Sequence, residues 1–125
     1  MIHQRHFTLE QAQQLLPQIE PMVRKLHEAG ARLTDAELHE LLSDAAPGNG
    51  GGEPGRAVGE AFVELRSLLG ELQGQGIVVR DVSRGLIDFP SIRDGEEIYL
   101  CWEVGEPRVA WWHEPDAGFA GRQPL

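Results

Sequence analysis

The chain has 125 residues, with 11 Lys and Arg against 20 Asp and Glu, a formal net charge of −9. That balance argues against a nucleic-acid backbone or an anionic membrane surface as the main partner. The single cysteine, Cys101, excludes an internal disulfide framework, and no apolar run approaches the ~20 residues of a membrane span. The opening Met1-Ile2-His3-Gln4-Arg5-His6 has no apolar export segment, so a cytoplasmic setting is expected.

Residues 8–75 carry helical periodicity. Thr8 with Gln11 has the spacing of a capping box, which predicts a helix start at Thr8. Leu15, Ile19, Met22, Leu26, Ala29, Leu33 and Ala36 follow at spacings of four and three, one apolar stripe along a helix. Pro17 and Pro21 each remove a backbone donor and disfavour helix at the preceding residue. A short helix from Thr8 to about Leu16, a kink or restart, and a long helix to about Ser43 are therefore expected.

Residues 47–55, Pro-Gly-Asn-Gly-Gly-Gly-Glu-Pro-Gly, lack the Gly-Lys-Ser/Thr ending of a phosphate loop and read as a flexible connector. Val58, Phe62, Leu65, Leu69 and Leu72 resume the helical spacing, giving a second long helix that ends at Gly74 or Gly76. Two long helices about a connector predict an antiparallel helical hairpin.

The period changes at residue 77. Ile77-Val78-Val79 reads as a strand, and Gly85 to Phe89 as a second one stopping at Pro90. Asp94-Gly95 is a hairpin turn, Glu97 to Val104 alternates, and Gly105-Glu106-Pro107 turns the chain into a last strand from Arg108 to His113. Residues 114–125 read as an irregular C-terminal arm. The fold class is α+β in a single domain over residues 1–125: a helical hairpin at 8–75 packed on a three- to four-stranded antiparallel meander at 77–113.

Register places the chemistry. A two-residue turn at Asp94-Gly95 sets Phe89 opposite Leu100, Asp88 opposite Cys101 and Ile87 opposite Trp102. A three-residue turn about Glu106 sets Trp102 opposite Ala110, Cys101 opposite Trp111, Leu100 opposite Trp112 and Tyr99 opposite His113. Paired residues project from the same side of a sheet. Ile87, Phe89, Ile98, Leu100, Trp102, Ala110 and Trp112 then share the side that suits the helices. Asp88, Tyr99, Cys101, Glu103, Trp111 and His113 share the other.

Imidazole and carboxylates together suit a divalent transition metal such as zinc or iron. The expected metal ligands are His113, Asp88 and Glu103, with Asp116 joining from the arm three residues past His113. Tyr99, Cys101, Trp111 and Arg122 are the expected ligand-binding residues, Arg122 offering an anion-binding fork or pinning the arm. A Cys101–His113 nucleophile and base is set aside because no oxyanion loop can be named. No catalytic set is assigned. His27, His39 and the glutamates of the second helix read as solvated polar faces, while His3 and His6 sit before the first cap and are expected to be disordered.

Several segments resemble a known family. They are Phe7-Thr8-Leu9-Glu10 with Leu15-Leu16-Pro17, residues 84–90, Leu100-Cys101-Trp102 with Gly105-Glu106, and residues 112–124 from Trp112 to Pro124. Together they are similar to a bacterial domain-of-unknown-function family, number 2203. The resemblance implies the domain limits and a bacterial cytoplasmic setting, and it implies no reaction.

Two functions follow from the sequence. One is a small protein binding a metal or a small-molecule ligand at the sheet face, with metal-dependent activity as its extension. The other is a homodimeric interaction or structural module without a chemical site, suggested by the apolar stripe and the tryptophan-bearing face.

Overall fold

The computed structural model describes residues 2–43 and 56–125. The chain is α+β, with three helices against a five-stranded antiparallel sheet. The expected connector at 47–55 lies outside the described residues.

Helix α1 spans Leu9–Ala31 without a break. Its start is the capping box read from the sequence: the Thr8 hydroxyl accepts from the Gln11 backbone N–H, and the Gln11 side chain accepts from that of Thr8. The expected restart is absent, because the helix runs on through both prolines. Pro17 and Pro21 are four residues apart and both exposed, so the lost hydrogen bonds fall on the solvent side, where water satisfies the freed carbonyls. Ala12, Leu16, Ile19, Val23, Leu26 and Ala29 form the buried stripe, and Leu15 and Met22 lie at its margin.

The long helix to Ser43 is also corrected. Helix α1 ends at a cap on Arg32, and a separate helix α2 runs over Asp35–Ser43. A second reciprocal box, Thr34 with Glu37, starts it. Helix α3, Arg56–Gly74, packs on α1, so three helices replace the two-helix hairpin.

The strands are β1 (Val78–Asp81), β2 (Leu86–Arg93), β3 (Glu96–Glu103), β4 (Trp111–His113) and β5 (Gln123–Pro124), paired in that order as a simple meander. Asp94 and Gly95 both adopt positive φ, 53° and 81°, the backbone of a tight two-residue hairpin turn. Every pairing derived from that turn is present, as are those of Cys101, Leu100 and Tyr99 across β3 and β4. Strand β4 begins at Trp111 and not at Arg108, so the expected Trp102–Ala110 pair is not part of the ladder.

Strand β2 does not stop at Pro90. The β1 ladder ends at Asp88, and beyond it the Pro90 carbonyl accepts from the Phe7 N–H at 2.7 Å on the open edge. A residue's N–H and C=O leave a strand on the same side, so the missing donor of Pro90 costs the β2–β3 ladder nothing. The fifth strand comes from the arm, where Gln123 and Pro124 pair with Trp112 and Trp111 and a 3₁₀ turn, Phe119–Gly121, precedes them.

The helices cover the face bearing Ile87, Phe89, Ile98, Leu100 and Trp102, and this is the core. Phe7 meets Phe89 edge-on at 5.4 Å between ring centroids, and Trp102 donates its indole N–H to the Glu106 carbonyl. The opposite face is covered by the arm of the same chain, which accounts for part of the apolar area from which a homodimer is expected. Among the described residues no helix is long and apolar enough to cross a membrane.

Candidate metal centre

Asp88, Cys101 and His113 meet beneath the arm. They sit side by side on β2, β3 and β4, and relative exposures of 0%, 1% and 2% put all three out of solvent. One ligand atom from each lies within 4.8 Å of the others.

The hydrogen bonds give each atom a role. His113 Nδ1 faces the Glu114 backbone carbonyl at 2.8 Å, and a carbonyl only accepts, so Nδ1 carries a proton. Nε2 faces Asp88 Oδ2 at 2.8 Å. In the neutral ring Nε2 is a bare lone pair, so the metal-free contact holds one further proton between imidazole and carboxylate. Fixing Nδ1–H on a backbone carbonyl is also how metal-binding histidines are oriented.

Asp88 Oδ2 accepts a second bond, from Arg80 Nε at 2.7 Å, while Oδ1 is buried and has no hydrogen-bond partner. An orphaned carboxylate oxygen out of water costs about 1–3 kcal/mol or more, so it marks a place where something else binds or strain is held. The Cys101 thiol is pushed up to about 12, first by burial and then by the Asp88 carboxylate, with Arg122 opposing. Cys101 is therefore a protonated thiol here, the reverse of an activated nucleophile. A cavity of about 130 Å³ opens beside the three side chains, lined also by Arg80, Leu86, Pro115, Gly118 and Phe119.

Other expected residues lie elsewhere. Glu103 shares the face but pairs with Arg84 at 2.8 Å, and Asp116 is exposed on the rim of a separate groove with Arg93, Glu96 and Trp112. Neither joins the cluster. Arg122 pairs with Glu106, lies over the Trp111 ring at 4.4 Å and the Phe119 ring at 4.6 Å, and directs Nη1 toward Cys101 Sγ at 3.8 Å. It pins the arm and is not an open fork. Trp111 is the surface it rests on. Tyr99 is stacked on His113 at 5.3 Å between ring centroids.

Arg80 is missing from the sequence reading. The pairing shifts between Val79 and Asp81, leaving Arg80 as the extra residue of a β-bulge, a device that re-aims a side chain. Its guanidinium lies over the Tyr99 ring at 4.6 Å as well as against Asp88. Counting back from Asp88 through the Ser83-Arg84-Gly85 turn would have put an arginine near the site, but the bulge itself has no sequence signature.

The N-terminal segment was also missed. His3 Nε2 meets the Tyr99 hydroxyl at 2.7 Å, and Glu97 accepts from the backbone of Ile2 and His3 and bonds the His6 ring at 2.7 Å. His3 and His6 are thus ordered parts of the sheet's outer layer.

Comparison with curated proteins and with solved structures finds no match to this chain. A family model described as an uncharacterized conserved protein, DUF2203, matches residues 5–125. That span takes in all the helices and strands and each of Arg80, Asp88, Cys101 and His113, and the chain belongs to the DUF2203 family.

Proposed function

We propose that this protein binds one divalent transition metal ion through Asp88, Cys101 and His113. The observation that carries the reading is the convergence of three buried ligand atoms from Asp88, Cys101 and His113, with one Asp88 oxygen lacking a well-formed hydrogen bond. A mixed nitrogen, oxygen and sulfur set suits zinc or iron(II), and three protein ligands leave a fourth position open. Zinc bonds of about 2.0–2.3 Å place tetrahedral neighbours roughly 3.5 Å apart. The ligand atoms already lie within 4.8 Å of one another and need only small adjustments, the 2.8 Å contact between His113 and Asp88 opening as the ion enters. Its charge also removes the thiol proton that burial otherwise retains. The open position faces the cavity, where a water or small molecule completes the sphere.

Calorimetric titration of metal-free protein with zinc tests this. One site per chain is expected. Asp88→Asn, Cys101→Ser and His113→Ala should each weaken it by more than the roughly 10–100-fold that loss of an outer-shell partner costs. Glu103→Gln and Asp116→Asn should leave it intact. No heat from zinc, iron(II) or cobalt(II) would refute the reading and leave the homodimeric interaction module. In that case Asp88 and His113 only tie the sheet together, and sedimentation equilibrium would show a two-chain species.

A further inference from the structure

The small cavity has one strongly polar wall that does not coordinate metal. Arg80 lines it; its hydrogen bond to Asp88 uses Nε and its guanidinium also meets Tyr99, and the remaining terminal N–H groups are further donors. The remaining lining away from the three ligands is apolar: Leu86, Pro115 and Phe119 with the backbone of Gly118. The bulge that carries Arg80 aims it at Asp88, and the Tyr99 ring under it fixes the plane of the fork.

Charge then selects the occupant. A divalent ion held by the Asp88 carboxylate and the Cys101 thiolate is neutral as a unit. The Arg122 charge is already matched by Glu106, and the Arg84 charge by Glu103. Arg80 alone is left uncompensated once Asp88 serves the metal. The Arg80 side chain is 39% exposed, so its charge faces both water and the cavity it lines, where a planar anion can pair with the fork.

Building on the metal-binding reading, we propose that the open coordination position takes a short-chain carboxylate. One oxygen lies on the metal, the other on the Arg80 fork, and the hydrogen or methyl end lies against Leu86, Pro115 and Phe119. A cavity of about 130 Å³ has room for formate or acetate, and a bulkier aromatic acid is the size control for its walls. Planar guanidinium matches two carboxylate oxygens in a way that a spherical halide cannot use.

Cobalt(II) as the probe separates this inference from the one beneath it. Metal-free protein titrated with cobalt(II) should develop a near-ultraviolet thiolate-to-cobalt band, and its absence would overturn the metal centre and the ligand together. At saturating cobalt, acetate should shift the visible ligand-field bands at constant thiolate intensity, with benzoate giving no shift and chloride binding at least about tenfold more weakly. Arg80→Lys keeps the charge but loses the fork, and should weaken acetate about tenfold while the thiolate band persists. Arg24→Gln, a charge control on the exposed side of α1, should bind acetate normally. A thiolate band with no acetate response would overturn the ligand and leave the metal centre standing, as would equal responses to acetate and benzoate. The comparison of acids in the unaltered chain decides this even if Arg80→Lys fails to fold.

Discussion

Asp88 is a carboxylate with no exposed surface, held on one oxygen by Arg80 and His113 and bare on the other. Removing one partner of such a buried set leaves the others uncompensated, which costs about 3–5 kcal/mol. Asp88→Ala should therefore lower the metal-free unfolding free energy by about 3 kcal/mol, read by urea denaturation. Cys101 makes the complementary prediction. With its thiol at about 12 it should resist alkylation by iodoacetamide at neutral pH until the protein unfolds, and then react at once. The raised value favours the neutral thiol, so its contribution to stability is complete below about 9, the unfolded value, and is lost as pH rises toward 12. Rapid labelling of the native protein would contradict the burial on which the site depends.

At the scale of elements, the outer face of the sheet is set by two turns and one bulge. Gly85 ends the β1–β2 connection at φ 63°, and a Cβ there would collide with Val104, whose N–H donates to the Gly85 carbonyl at 3.0 Å. Gly85→Ala should cost about 2 kcal/mol, from strained backbone and overpacking together, measured as a fall in the urea midpoint. Thr8→Ala should cost about 1 kcal/mol through loss of the first cap. The meander's register was legible because Asp94-Gly95 fixes one hairpin and strict alternation from Glu97 to Val104 carries the pattern to the next strand. Thus Asp88, Cys101 and His113 could be placed on one face from residue types alone. Glu103 shares that face, but strand parity says nothing about distance along the strand, and Arg84 takes its carboxylate. Arg80 was hidden by the bulge. The continuity of α1 was hidden because proline rules count lost hydrogen bonds without knowing which side of the helix meets water. The Thr34–Glu37 box was readable, but the apolar stripe running through Leu33 and Ala36 masked it.

Over the whole molecule, the sheet is a plate with helices on one side and two chain ends on the other. The arm covers Cys101 and Trp111, and Phe119 lies between the guanidiniums of Arg84 at 3.9 Å and Arg122 at 4.6 Å from its ring centre. The N-terminal segment is tied down by Glu97, whose carboxyl is lowered from 4.5 to about 2, chiefly by its hydrogen bond with His6 and further by the backbone N–H groups of His3 and Ile2. A depressed carboxylate stabilises the fold above its unfolded value, so this tie should be intact above about pH 4.5 and lost as pH falls toward 2. Hydrogen exchange in residues 2–7 should accelerate across that window while β2 and β3 stay protected, and Glu97→Gln should remove the pH dependence. Beneath these two ends lies the candidate metal centre, and anomalous diffraction from a crystal grown with zinc tests it most directly. Binding as proposed gives one peak per chain between Asp88 Oδ1, Cys101 Sγ and His113 Nε2, at about 2.0–2.3 Å from each. A zinc-soaked crystal with no peak there, and with His113 Nε2 still bonded to Asp88, would contradict it.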